Sequence, residues 1–505
     1  MDGIRRRRIG GAWRTLRAAL TAVAVAAASF GWSAHVAVAG TAKPNIVFIL
    51  TDDMRFDSLS TMPNVQSLLR GHGVTFSNMF VNDSLCCPSR ATFLTGQTSG
   101  HTDVWQLWPP HGGFVTFTER GDDRSTIATW LHAAGYRTGL FGKYLNTYNG
   151  FFNGNAYVPP GWDDWFAFTK EGPGEGYYYD YGAMVRHTPV QFGHAPGDYG
   201  TDQVATRAED FIRNARAPFF AYIAPYAPHR PAIPAPADWN SSFARGCGPS
   251  VSRPPSFNEG DVSDKPAYVR HFPRFSDGEI DEIDATHGCQ LATLKDVDRM
   301  VAQIVQILQD KNELANTMIV FSSDNGFLWG EHRWAEKRVP YEESIHVPLV
   351  IRFDPMTSTA RATSRLVSNI DLAPTWAALA GVTPATPVDG VSLLPLLKGP
   401  VSTWRSVVLI EYMQGTAMSK GRPDPVTSYC GLRTVPTPKH PHAFAYVVYR
   451  TGEQELYTVD TDPYELVNQA SRARFKATVA AFHRRLAALC RPTPPDFPGG
   501  RLPGT

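Results

Sequence analysis

The stretch Asn45-Ile46-Val47-Phe48-Ile49-Leu50, followed at once by Thr51-Asp52-Asp53, limits what this chain can fold into more than any other part of it. A run of β-branched and aromatic residues with no alternation cannot make a strand with one wet face. It needs cover on both sides, as in the interior of an α/β sheet. The same grammar recurs. Residues 125–134 read as a helix closed by Gly135, and 137–141 as a strand running into Gly142-Lys143. Residues 218–224 form another apolar run, ending in Pro225-Tyr226-Ala227-Pro228-His229-Arg230-Pro231, where prolines stop the strand. Leu294, Val297, Val301, Ile304, Val305 and Leu308 keep helical spacing ahead of a strand at 317–321 that ends in Ser322-Ser323-Asp324-Asn325-Gly326. Helix alternating with buried strand implies an open α/β sheet, whose ligands gather at the carboxyl ends of strands.

Size and charge agree. With 505 residues, 43% hydrophobic content and a formal net charge of +1, the chain suits one large α/β domain plus a smaller one, and offers no basic surplus for nucleic acid. Arg5-Arg6-Arg7-Arg8, with Arg14 and Arg17, precedes an alanine- and valine-rich stretch at 18–30 and then Ala37-Val38-Ala39-Gly40. This is the layout of a secretory signal, expected to span 1–39 and to be cut after Ala39. Its apolar core is too short for a stable membrane anchor, and Gly31, Ser33 and His35 interrupt the continuation. Arg6-Arg7-Arg8-Ile9 also fits a twin-arginine export signal. The mature chain is expected to be secreted or to reside in the periplasm or cell envelope. Export permits disulfides: Cys247 with Cys289 and Cys430 with Cys490 is the locally simplest of three connectivities, all of them open.

Residues 149–198 are rich in Gly, Pro, Tyr and Trp, and 238–277 in Pro, Ser and charge; both read as long excursions that shape a pocket. After Gly399 the pattern changes to short segments at 407–412, 443–449 and 455–458 and a helix near 474–489, a small antiparallel sheet with a covering helix. The expected organisation is a catalytic domain at 40–399, a C-terminal α+β subdomain at 400–490 and a tail at 491–505.

Asp52, Asp53, Asp324 and Asn325 supply four oxygen donors at two strand ends. If those strands are neighbours, the four converge on a hard divalent cation such as Ca²⁺ or Mg²⁺. Either pair alone reads as ordinary turn chemistry. "CCPSRATFLTG", from Cys86 to Gly96, adds the second element. Adjacent cysteines do not readily bridge to each other. Pro88 marks a first helical position, so a reactive group on Cys86 would stand at a helix amino terminus, where free N–H groups favour an anion and Arg90 adds a positive partner.

Cys86-x-Pro88-Ser89-Arg90 with Leu94-Thr95-Gly96 resembles the signature of the type I sulfatases of the alkaline phosphatase superfamily. The resemblance extends from "PNIVFILTDDMR" through "SSDNG" and "YEESIHVPLVIR" to "ELYTVDTDPYELVNQA"; "SLCCPSR" and "FGKYLN" look most like the branch of glucosamine-6-sulfatases, heparan endosulfatases and related bacterial sulfatases. It implies an alkaline phosphatase-like fold, a large mixed sheet flanked by helices, and a Cys86 oxidised to Cα-formylglycine (3-oxoalanine) by a dedicated formylglycine-generating enzyme. It further implies Ca²⁺ held by Asp52, Asp53, Asp324, Asn325 and the modified Cys86. Arg90 would hold the formylglycine, Lys143 and Lys337 would grip sulfate oxygens, and His229 would protonate the leaving oxygen. One hydroxyl of the aldehyde hydrate attacks sulfur, with Asp324 as base, and the other later expels sulfate. Many arylsulfatases carry histidine where this chain has Leu145, so another base must break the sulfate hemiacetal or His332 in "GEHRW" partly substitutes; His332 is also a candidate substrate contact.

The expected activity is sulfate-ester hydrolysis on a sulfated carbohydrate of the N-acetylglucosamine-6-sulfate kind or on an aryl sulfate. The rivals are a phosphonate or phosphate monoester hydrolase of the same superfamily and an inactive, calcium-stabilised carbohydrate-binding protein.

Overall fold

A computed structural model describes residues 43–238, 247, 252–357, 359–415 and 424–505. The expected export signal lies outside the described residues. The centre of the molecule is a ten-stranded sheet built from β1 (Asn45–Thr51), β2 (Val74–Phe76), β3 (Arg137–Gly142), β4 (Asp164–Lys170), β5 (Gly182–Val185), β6 (Thr188–Gln191), β7 (Phe219–Ala224), β8 (Thr317–Ser323), β9 (Leu349–Arg352) and β10 (Arg361–Thr363). The spatial order is β10-β2-β9-β8-β1-β7-β3-β4-β5-β6. From β8 to β4 neighbours run parallel, and antiparallel pairs on both flanks make the sheet mixed.

The continuous apolar run of β1 resolves into two faces. Ile46, Phe48 and Leu50 join the core that contains Phe93 of helix α1 (Cys86–Thr95), Ile127 and Leu131 of α2 (Ile127–Ala133) and Trp376 of α5 (Leu372–Ala380). Val47 and Ile49 join the opposite core, with Val204 and Phe211 of α3 (Gly200–Asn214) and Val301 and Ile304 of α4 (Asp277–Asp310). Helices therefore cover both faces, as the absence of alternation requires. The 34-residue α4 starts well before the expected stripe, at a capping box between Ser276 and Glu279. Its amino-terminal turns are largely exposed and so carry no apolar period.

The excursion at 149–198 is more ordered than its composition suggests, because it contains β4, β5 and β6. β4 buries Trp165, Phe166 and Phe168, whereas β6 is a mostly exposed edge strand carrying Pro189, which central pairing would exclude. Tyr178, Tyr179, Tyr181 and Trp165 pack in the cores; Tyr177 remains partly exposed.

A separate four-stranded antiparallel meander comprises β11 (Val407–Tyr412), β12 (Tyr429–Thr434), β13 (Phe444–Tyr449) and β14 (Gln454–Thr458). The sequence pattern does not announce β12, whose Gly431 and Arg433 break an apolar run. Helix α6 (Lys476–Leu489) packs Phe482 and Leu486 against Leu432 and Tyr446 on one face, together with Phe497 and Leu502. The other face meets Phe80, Leu85, Trp334 and Tyr341. Disulfides join Cys247 to Cys289 and Cys430 to Cys490.

Candidate active site

Because β8, β1, β7 and β3 are parallel neighbours, the loops that leave their carboxyl ends meet at one edge of the sheet. Thr51 pairs with Ser323, which puts Asp52 and Asp53 directly beside Asp324 and Asn325. Asp53 N donates to Asp324 Oδ1 at 3.2 Å, and Asn325 Nδ2 donates to Asp53 Oδ1 at 2.7 Å. Ser323 Oγ, which sequence reading missed, accepts from Met54 N at 2.9 Å and clamps the two loops. Lys143 follows Gly142, whose φ of 116° and close approach to Ala224 O leave no room for a Cβ.

Helix α1 begins at Cys86 itself, so Pro88 occupies its third position rather than its first. The geometry tolerates this, since the first four N–H groups of a helix have no intrahelical partner. Cys86 Sγ lies 3.4 Å from Asp52 Oδ1 and 2.8 Å from Lys337 Nζ. Lys337 also donates to Asp53, and Lys143 to Asp52. Arg90 is buried: its Nε donates to Asp324 Oδ2 at 2.8 Å, its Nη1 to Lys143 O at 2.7 Å, and its Nη2 stands 3.6 Å from Asp52 Oδ2. His229 Nε2 lies 3.7 Å from Asp53 Oδ2 while Nδ1 lies 2.6 Å from the Arg230 carbonyl, which it can only approach as a donor. Cys87 turns the other way, into the core.

Burial works against charge on Asp52 and Asp53, but Lys143 beside the first and Lys337 beside the second hold both carboxyls below the usual range. Asp324 differs: burial, then repulsion from Asp52, outweigh Arg90 and push its carboxyl up to about 6. Burial and then Asp52 raise the Cys86 thiol well above its ordinary value despite both lysines. An unmodified Cys86 is therefore a neutral thiol and a poor nucleophile.

Donor atoms of Asp52, Asp53, Cys86 and His229 lie within 4.8 Å of one another, a cluster that could hold a metal ion. Asn325 Oδ1 is buried without a hydrogen-bond partner beside it, which fits an oxygen ligand left for a cation. Tyr226, another residue missed by sequence reading, holds its ring 5.4 Å from Lys143 Nζ and packs on His229 with centroids 4.5 Å apart. Tyr177 lies edge-on to it at 5.0 Å. Glu336 pairs with Arg230 and, at 3.7 Å, with Arg338.

His332 does not join this group. Positive φ values at His332 and Arg333, 52° and 58°, turn its ring onto Tyr341 and Glu259, where it is buried and makes no contact with the Cys86 cluster. Leu145 is buried in the core and leaves His229 as the single imidazole among the described residues in contact with the cluster.

A mixed sheet of this order, gathering acids, lysines and a helix-borne cysteine at its carboxyl edge, has the alkaline phosphatase-like fold. The Sulfatase family model matches residues 44–382, and the model for the N-sulphoglucosamine sulphohydrolase C-terminal region matches 330–491. An arylsulfatase of Volvox carteri is 32% identical over 93% of this chain and 77% of its own length. The N-acetylglucosamine-6-sulfatase of Homo sapiens is 34% identical over 74% of this chain and 68% of its own. The solved structure of BT4656 in complex with its substrate D-glucosamine-2-N,6-O-disulfate superposes with a TM-score of 0.72 at 24% identity, covering 89% of this chain and 97% of that one. The chain belongs to the sulfatase family of the alkaline phosphatase superfamily and is a sulfuric ester hydrolase. Among the described residues, no helix is long and apolar enough to cross a membrane.

Proposed function

We propose that this sulfatase acts outside the cytoplasm on a sulfated carbohydrate of the N-acetylglucosamine-6-sulfate kind, with Cys86 converted to Cα-formylglycine and Ca²⁺, or Mg²⁺, held by Asp52, Asp53, Asp324 and Asn325. The observation that carries the reading is Cys86 itself: a buried side chain at the first position of α1, touching Asp52 and Lys337, in the sequence setting that the converting enzyme reads. When bound, the cation supplies a Lewis acid and the converted residue a geminal diol, one hydroxyl to attack sulfur and a second to release sulfate.

The rest falls to the chain. Lys143 and Lys337 flank position 86 and, with the aspartates engaged by a cation, are free to bind sulfuryl oxygens as negative charge gathers there. Arg90 fixes Asp324 and the Lys143 backbone, so both face the reacting group in a set orientation. His229 donates from Nδ1 to Arg230 O, which leaves Nε2 toward the acids as the position that carries a proton to the leaving oxygen. With Leu145 in the core, the same ring is the available base for sulfate release. Tyr177 and Tyr226 give a sugar ring an aromatic wall beside Lys143. The human relative's name and the sugar in the BT4656 complex support the substrate class, while the Volvox relative favours an aryl sulfate.

Mass spectrometry of the Cys86 peptide from the native host should show the thiol replaced by an aldehyde. Turnover of N-acetylglucosamine-6-sulfate, an aryl sulfate and an aryl phosphonate should rank in that order and vanish in Cys86→Ala. An intact thiol in active enzyme, or full turnover by the variant, would remove Cys86 from the mechanism.

A further inference from the structure

The displaced His332 belongs to a second cluster that the hydrolysis does not use. Its Nδ1 lies 2.7 Å from Glu259 Oε2, and its ring stacks on Tyr341 with centroids 4.1 Å apart. The other ring nitrogen, Nε2, has no hydrogen-bond partner although the side chain is 0% exposed. A ring nitrogen of His332 and one carboxylate oxygen each of Glu343 and Glu465 lie within 4.8 Å of one another. Since Glu259 occupies Nδ1, Nε2 is the nitrogen open to a ligand. Glu343 Oε2 is likewise buried and without a partner, while Glu465 Oε2 accepts the Glu342 N–H at 3.0 Å.

Two carboxylates in such a place need a counter-charge. The neighbouring bases are committed elsewhere: Arg55 to Asp57 and Glu331, Lys265 to Glu259 and Asp264, Arg433 to Glu342. One imidazole and two carboxylates are the donor set of a borderline transition metal rather than of calcium. A carboxylate on the far ring nitrogen is the partner that metal-bound histidines ordinarily have, because it fixes the tautomer and the ring's aim.

We propose that His332, Glu343 and Glu465 form a second cation site, suited to Zn²⁺, with Glu259 orienting the imidazole. The site is independent of the acids around Cys86. His332 and Glu343 stand on either side of Lys337 in the chain, and Glu465 follows β14, so the ion ties the segment that carries Lys337 to the C-terminal sheet.

The test uses the full chain grown as crystals with Zn²⁺, with diffraction measured on both sides of the zinc absorption edge. An anomalous peak about 2.1 Å from His332 Nε2 is expected. In solution, Zn²⁺ affinity at this site should weaken at least about 10-fold in Glu343→Ala and in His332→Ala, with Ca²⁺ binding unchanged. Should a variant fail to fold, the crystal peak decides. Absence of density at His332, zinc found at the Cys86 cluster alone, or full Zn²⁺ affinity in both variants would overturn the proposal, leaving two acids that share protons.

Discussion

Asp52, Asp53, Asp324 and Asn325 were visible as candidates because each ends a strand, and the pairing of Thr51 with Ser323 is what makes them one group. No spacing in the sequence encodes that pairing. Arg90 shows how much one side chain adds: buried, it faces Asp324 at 2.8 Å and Asp52 at 3.6 Å. Arg90→Ala leaves the buried Asp324 without its ion-pair partner, while Asp52 keeps Lys143, and is expected to cost about 3–5 kcal/mol in urea unfolding. Arg90→Lys keeps the charge but not the fork that reaches Asp324 and Lys143 O together, so it should recover only part of that; a neutral effect of the alanine variant would refute the role. His229→Ala should lose far more activity on alkyl sulfates, whose leaving oxygen needs a proton, than on aryl sulfates with good leaving groups. Equal losses on both would sink His229 as the acid. His332 is the residue that sequence misplaced: "GEHRW" gives its position in the chain, but its direction depends on two left-handed backbone angles that the letters do not reveal.

At the scale of elements, the apolar runs of β1, β3, β7 and β8 declared themselves, whereas β2, β4, β5, β6, β9, β10 and β12 did not, being short, at an edge, inside an excursion or broken by glycine. One junction between elements titrates. Glu411 of β11 is buried against the segment leading into α1: its N–H donates to Asn82 O at 2.8 Å and its carboxyl accepts from Ser99 N at 2.9 Å. Burial pushes its carboxyl up to about 8, and burial with Glu411 nearby raises Asp83 as well. The neutral forms are thus favoured by folding. Their stabilisation is whole below the unfolded value near 4.5 and is lost as pH climbs through about 8. Glu411→Gln, which cannot ionise, should flatten that decline, with a gain over the parent at pH 8 on the order of a few kcal/mol. Parallel urea midpoints of parent and variant from pH 5 to pH 8 would contradict it.

The whole molecule assembles its site from loops that are far apart in the chain. Lys337 depends on a segment that the C-terminal sheet braces: Tyr429 OH donates to Arg338 O at 3.1 Å, Tyr341 OH to Glu455 at 3.0 Å, and Lys265 to Glu465 O at 2.8 Å. Neither strand order nor this bracing was legible in the sequence, because long-range pairing leaves no local period; the family resemblance implied only a large mixed sheet flanked by helices. A cation on the acids of two central strands should stabilise the whole unit. Chelation of an enzyme loaded with the proposed Ca²⁺ is expected to lower Tm by about 3 °C, since ligand at 100 times its Kd contributes about 2.7 kcal/mol. Added Ca²⁺ should restore it, and Asp53→Ala should abolish the response; a Tm indifferent to chelation would argue against a cation there.

The packing of α1 also imposes an order in time. Every residue of that helix is buried, Cys86 and Cys87 included, so no second enzyme can close around Cys86 once the sheet and helices have come together. On the proposed conversion of Cys86, the window for oxidation would be the interval between synthesis and folding. A Cys86-containing peptide, or the unfolded chain, should be converted by a formylglycine-generating enzyme, and the folded thiol form should resist it; equal conversion of both would show that the helix opens. If export proceeds on a folded chain, as a twin-arginine route requires, the aldehyde must be made before the protein leaves the compartment where it is synthesised, and a chain that folds too early is committed to an inert thiol.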